Sequence, residues 1–233
     1  MLLRPTRWIL ALAAGCAGVL ALVRAPAAAD APAVIRPYAV ADTSCSPYEP
    51  TPTPDEVRPF VTQGKEPLCV AAADLDGDGR RDYVLVLGTR RKYTGQPYAG
   101  DGAAPDKDDL RTLLVLMRQP DGALRMGART EHVAMCTECG GMMGDPFEGV
   151  GARPGSFTVH HYGGSAWRWR ADYTFEYVAA TGRWRLASVS TLSYWSPEPD
   201  KMESHVYTAP ADFPEIDLTD FDYETWRGPD AEK

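Results

Sequence analysis

The sequence lacks most of the patterns that would name a chemistry outright. It contains no Gly-x-Ser-x-Gly turn, so Ser165, which follows Gly163-Gly164, is not the nucleophile of a hydrolase elbow. No internal repeat recurs, which excludes a propeller or solenoid of several units. No long amphipathic helical pattern follows residue 29, which excludes a helical bundle. Basic residues are in deficit, with 24 Lys and Arg against 32 Asp and Glu and a formal net charge of −8. An acidic chain repels phosphate backbones, so no nucleic-acid partner is expected. No apolar run reaches the roughly 20 residues of a membrane span. The longest, residues 8–23, has 16.

That run follows a short basic start with Arg4 and Arg7 and precedes Arg24-Ala25-Pro26-Ala27-Ala28-Ala29. The order is that of a secretory signal peptide over residues 1–29, with a small-residue cleavage site expected after Ala29. Two other readings stay open: an uncleaved anchor, and a lipoprotein whose lipobox is Ala13-Ala14-Gly15-Cys16. Cleavage would remove three arginines and no acid, leaving 21 basic and 32 acidic residues, net −11. The expected location is secreted or periplasmic, with no stable membrane span after cleavage. The remaining chain is long enough for one domain with a sizeable core.

Export agrees with the cysteines. Cys45, Cys69, Cys136 and Cys139 remain after cleavage, an even number suited to an oxidising compartment. Of the three pairings, Cys45–Cys69 and Cys136–Cys139 are expected. The first closes a loop of about 24 residues and contributes roughly 3 kcal/mol on the chain-entropy model.

Residues 30–66 are rich in Pro, Ala and Thr and are expected as an extended arm, with one short helical start near Pro54. A β-rich domain is expected over residues 67–197 and an irregular acidic segment over 198–233. Leu68-Cys69-Val70-Ala71-Ala72-Ala73, Asp82-Tyr83-Val84-Leu85-Val86-Leu87 and residues 111–117 have strand character. A polar insertion, residues 89–109, interrupts them. Further on, Trp167, Trp169, Tyr173, Phe175 and Tyr177 keep period two, with Arg168, Arg170, Asp172, Thr174 and Glu176 opposite. Gly163-Gly164 and Thr181-Gly182 are the expected hairpin turns. The fold class is therefore mainly β, a single domain built on an antiparallel meander with one apolar face.

The most specific feature is an acidic loop, Asp74-Leu75-Asp76-Gly77-Asp78-Gly79-Arg80-Arg81-Asp82. Asp74, Asp76, Asp78 and Asp82 fall at positions 1, 3, 5 and 9, and Gly79 at position 6 permits a sharp turn. Arg80 at position 7 would offer its backbone carbonyl, its side chain pointing away. Calcium takes 6 to 8 oxygen ligands, which carboxylates, a carbonyl and water can supply. Without a cation, two carboxylates about 4 Å apart repel by about 4 kcal/mol at an effective dielectric near 20. The loop is not an EF-hand, because position 12 is Leu85 and the flanks are strand-like. It resembles the calcium loops of FG-GAP or VCBS-type repeats and integrin-like propellers, which join two strands. The resemblance implies Ca²⁺ and a strand–loop–strand setting. It does not imply a propeller, since one loop is present where several blades would be needed. Phe60-Val61-Thr62-Gln63-Gly64, the acidic loop, Gly144-Asp145-Pro146-Phe147-Glu148 and His161-Tyr162-Gly163-Gly164-Ser165-Ala166-Trp167-Arg168-Trp169 together resemble an uncharacterised group of exported bacterial VCBS-like proteins. That likeness spans roughly residues 60–190 and implies a single secreted domain with no established reaction.

Other clusters carry competing readings. Met135-Cys136-Thr137-Glu138-Cys139-Gly140-Gly141-Met142-Met143 fits a short disulfide in a Gly-rich loop, a thioredoxin-like redox pair, or a Cu(I) site using the thiolates, methionines and His132. His160 and His161 are neighbours on a strand and point to opposite faces. His161 shares the side of Phe157 and Val159 and is expected in the core. His160 could serve acid–base chemistry with Asp145 or Glu148. Trp167 and Trp169 form either core or a platform for a sugar or peptide. The leading function is an exported calcium-stabilised binding or structural module with an extracytoplasmic protein or glycan ligand. The alternatives are a secreted hydrolase using His160 or His161 with a carboxylate, and a periplasmic copper or redox protein using Cys136 and Cys139.

Overall fold

The computed structural model describes residues 43–47, 52–89 and 110–229. The expected signal peptide over residues 1–29, Cys16 and nearly all of the insertion at 89–109 lie outside the described residues. Within them the chain forms ten strands: β1 (Thr43–Cys45), β2 (Glu66–Ala73), β3 (Asp82–Gly88), β4 (Thr112–Arg118), β5 (Leu124–Thr130), β6 (Phe147–Arg153), β7 (Ser156–Gly164), β8 (Trp167–Val178), β9 (Arg183–Trp195) and β10 (Glu203–Thr208). They make two antiparallel sheets, one ordered β2-β3-β4-β5 and the other β1-β6-β7-β8-β9-β10. The expected mainly β fold and antiparallel meander are both present. Among the described residues no helix is long and apolar enough to cross a membrane.

The two sheets share one core. Leu68, Ala71, Val84, Val86, Leu113 and Val115 from the first meet Phe147, Val159, Tyr173, Phe175, Leu186 and Val189 from the second. Phe157 stacks on Phe175 with centroids 5.4 Å apart, and Tyr173 and Phe175 both pack against Phe221. Strands β3 and β4 do not alternate, because they are buried on both faces. Tyr83, Leu85, Leu87, Leu114 and Leu116 point away from the shared core and are covered by Val57, Phe60 and Val61. A continuous apolar run is what a strand covered on both sides requires.

That covering segment narrows the expected arm. Residues 52–61 pack on the sheet through a turn from Pro54 and a 3-10 turn over Arg58–Phe60. Val57 is fully buried, a placement that contributes roughly 1.5–3 kcal/mol. Glu56 fastens the segment by accepting from the Tyr83 hydroxyl at 2.6 Å and from Arg118 at 2.5 Å. At the other end of the chain the acidic segment is likewise part of the domain. β10 extends the larger sheet, and Phe213, Leu218 and Phe221 are buried in the shared core.

Cys45 and Cys69 face each other with Cα atoms 5.2 Å apart, and so do Cys136 and Cys139. Both separations suit a disulfide. The first pair joins β1 of one sheet to β2 of the other. The second closes a separation of only three residues. Replacing Cys136 and Cys139 with alanine is therefore expected to cost no more than about 2 kcal/mol on the chain-entropy model. Urea unfolding of the double variant, followed by tryptophan fluorescence, checks this.

The β7–β8 turn differs from expectation. Gly163 and Gly164 both belong to β7, and the chain reverses at Ser165-Ala166. Gly163 serves close packing instead: a Cβ there would lie 2.6 Å from the Trp169 ring and 3.0 Å from the Cα of Gly140.

Candidate metal centre

The acidic loop is the hairpin connection between β2 and β3, whose last register pair is Ala73 with Asp82. Leu75 is fully buried and pins the start of the loop in the core. Asp74 is the hub of the turn. Its Oδ1 accepts from the backbone N–H groups of Gly77 and Asp78 at 2.9 and 3.0 Å, and its Oδ2 from that of Gly79 at 3.0 Å. Gly77 and Gly79 both have positive φ, 80° and 83°, which lets successive N–H groups converge on one carboxylate. The Asp74 carbonyl accepts from the Gly155 N–H at 3.1 Å, linking the loop to the β6–β7 turn.

Asp74, Asp76 and Asp78 each present a carboxylate oxygen such that the three lie within 4.8 Å of one another. Burial pushes the Asp76 carboxyl up from its ordinary value, and the charges of Asp78 and Asp74 add to the shift, while a hydrogen bond from the Asp78 N–H opposes it. The group therefore resists ionising beside its neighbours, the electrostatic condition that a bound cation would relieve. An all-oxygen, triply anionic donor set fits a hard divalent ion.

Two expected ligands sit differently. Asp82, expected as a fourth carboxylate, is buried, and two backbone donors claim its oxygens: Leu75 N–H at 2.8 Å and Arg118 N–H at 2.7 Å. It braces the loop against β4 rather than joining the cluster of three. Burial raises its pKa, partly offset by those two hydrogen bonds. The Arg80 side chain does not point away. Its guanidinium pairs with the Asp78 carboxylate while Nε donates to the Arg118 carbonyl at 3.0 Å.

The remaining candidates are dispersed. His161 is fully buried, accepting from the Met135 N–H through Nε2 at 3.1 Å, with Phe147 and Tyr173 against its ring. Burial pushes its pKa down to about 3, opposed by the Ala171 carbonyl and helped by the Arg111 charge, so the ring is neutral. His160 lies on the opposite face, as expected, with Nδ1 2.9 Å from Asp172. Arg170 holds the same carboxylate through Nε at 3.0 and 3.1 Å. Asp145 is paired with the buried Arg111. Glu148 is half-buried at the start of β6, whose Phe147 is fully buried. Trp169 packs against the core, whereas Trp167 is 63% exposed.

Arg111, Asp172 and Tyr194 carry contacts that the sequence pattern does not announce. Arg111 is 2% exposed and donates to the Met135 carbonyl at 2.8 Å and to both oxygens of Asp145. Tyr194 meets Tyr162 hydroxyl to hydroxyl at 3.0 Å beside the His160–Asp172–Arg170 group. The signal for Arg111 was a lone cation heading an apolar strand. Asp172 is set by its register opposite His160, which the sequence does not show. Comparison with protein-family models, with curated proteins and with solved structures finds no match to this chain.

Proposed function

We propose that this chain is an exported calcium-stabilised binding or structural module, its ion held at the β2–β3 turn. The observation that carries the reading is the meeting of the Asp74, Asp76 and Asp78 carboxylates within 4.8 Å at the end of a hairpin. These three side chains would hold the ion, with the Arg80 carbonyl and water completing the six to eight oxygens calcium takes. When bound, the ion supplies positive charge that offsets the mutual repulsion of the carboxylates. The resemblance of the loop to FG-GAP and VCBS-type calcium loops supports the same choice of metal. The basic, apolar and small-residue order of residues 1–29 supports export to the periplasm or beyond. The ligand of the module is an extracytoplasmic protein or glycan, for which the exposed Trp167 offers a flat apolar contact.

Calorimetric titration of metal-stripped protein tests the assignment. One Ca²⁺ per chain is expected, with a dissociation constant of about 0.1 mM, at the tight end of extracellular modules, and weaker binding of Mg²⁺. Protons compete for the same oxygens. Because the Asp76 pKa is raised, protonation begins above the ordinary 3.8, so affinity is expected to fall with acidification before that value is reached. Absence of calcium binding at tenfold that concentration would sink the reading.

A further inference from the structure

The segment between β5 and β6 is held more firmly than a surface loop needs. Arg111 donates to the Met135 carbonyl, to the Thr137 hydroxyl at 3.5 Å and to Asp145. His161 accepts from the Met135 N–H. Beyond Cys139, Gly140 N–H donates to Gly144 O at 2.8 Å, Gly144 N–H to Gly141 O at 2.9 Å, and Gly164 N–H to Gly140 O at 2.8 Å. A Cβ on Gly140 would lie 2.3 Å from the Gly144 carbonyl oxygen, so only glycine fits there. These contacts hold both ends of the Cys136–Cys139 turn without help from a sulfur–sulfur bond. The bond is thus redundant as a staple, which leaves the pair of sulfurs to be explained.

The same bracing forces two adjacent methionines into solvent. Met142 is 63% exposed and Met143 46%, on a 3-10 turn over Gly141–Met143. A thioether in water adds nothing to a core, but it is a soft ligand. The Cα of Met142 cannot lie more than about 11 Å from that of Cys139 along three extended residues. Cys139 is half-buried and its sulfur lies 3.7 Å from the Tyr223 hydroxyl, whereas Cys136 is buried.

We propose that Cys136 and Cys139, once reduced, bind one Cu(I) ion together with a thioether from Met142 or Met143, and that the disulfide is the closed form of this site. Opening it needs a small external thiol. Its thiolate attacks Sγ of Cys139, the accessible sulfur. The S–S bond breaks and Cys136 leaves as a thiolate. A second thiolate attacks the external sulfur of the mixed disulfide, releasing the Cys139 thiolate and an external disulfide. Two electrons pass to the protein, and the two thiols release their protons when Cu(I) binds. Two thiolates and a thioether suit Cu(I) better than zinc, which favours four nitrogen or sulfur ligands.

The test uses the full mature chain, reduced with a phosphine under nitrogen. Alkylation and mass measurement should count two thiols, since a reductant can enter one pair through the half-buried Cys139, whereas Cys45 and Cys69 are both buried. Cu(I), supplied as its acetonitrile complex, is then titrated against bicinchoninate. One Cu(I) per chain is expected in the reduced protein and none in the oxidised protein. Cys139→Ser should abolish binding. Met142→Leu with Met143→Leu, both on the surface, should weaken it at least tenfold with an unchanged melting curve. Failure of the reduced protein to hold Cu(I) against the chelator, or equal affinity in the double methionine variant, overturns the proposal.

Discussion

Calcium at a hundredfold excess over its dissociation constant is expected to raise the unfolding free energy by about 2.7 kcal/mol. For a domain of this size that moves the melting temperature up by roughly 5–11 °C. Chelator should reverse the shift. The loop predicts which carboxylate variant isolates the ion from the fold. Asp74 organises three backbone N–H groups, so Asp74→Asn disturbs the turn with or without calcium. A lost charge-assisted bond of this kind costs about 1.5–3 kcal/mol. Among the described residues Asp76 accepts one backbone bond, a long one from the Asp78 N–H at 3.2 Å, and its charge is disfavoured by burial and by its two acidic neighbours. Asp76→Asn should therefore leave the chelated protein at least as stable as the parent while removing most of the calcium increment. Melting curves of parent and both variants, with calcium and with chelator, separate the two roles. An equal calcium increment in parent and Asp76→Asn would show that the ion, if bound, sits elsewhere.

The distinction between Asp76 and Asp82 marks how far the sequence alone could reach. Spacing placed four carboxylates in one nine-residue loop, and three of them do converge. Nothing in the spacing reveals that Asp82 stands where two backbone donors, Leu75 and Arg118, reach it, because Arg118 arrives from 36 residues away. The β-meander was legible from period-two aromatics, but the register was not. A hairpin reversing at Gly163-Gly164 would set His160 opposite Trp167. In the actual register Gly164 pairs with Arg168, which sets His160 opposite Asp172. That shift decides which carboxylate the imidazole meets. The glycines misled because their role is close approach to Trp169 and Gly140, not chain reversal. The Pro-rich arm had a compositional signature of a linker. One buried side chain, Val57, and one cysteine, Cys45, are enough to draw its C-terminal part into the domain.

Arg111→Ala is expected to be the most damaging single substitution away from the apolar core, costing about 3 to 5 kcal/mol, the range for breaking a buried ion pair. The lower end is favoured because Asp145 keeps 29% of its side chain in solvent and can be hydrated once alone. The loss has three parts. The Met135 carbonyl loses its donor, Asp145 loses its counter-charge, and the Phe147 ring loses the guanidinium lying 5.1 Å from its centroid. Asp145→Asn should cost less, since the amide can still accept one bond from Arg111 and one from the Phe147 N–H. Arg111→Lys keeps the charge but not the fork that reaches Met135 and Asp145 together, so it should recover only part of the loss. Urea unfolding of the three variants, with the Arg111→Ala/Asp145→Asn pair completing a cycle, measures the coupling. A cost below about 1 kcal/mol for Arg111→Ala would mean the pair is merely tolerated. The expected larger value would instead make Arg111 the clamp of the Cys136–Cys139 turn. That role predicts faster proteolytic cutting between residues 135 and 145 in Arg111→Ala than in Asp145→Asn, because only the first releases the Met135 backbone.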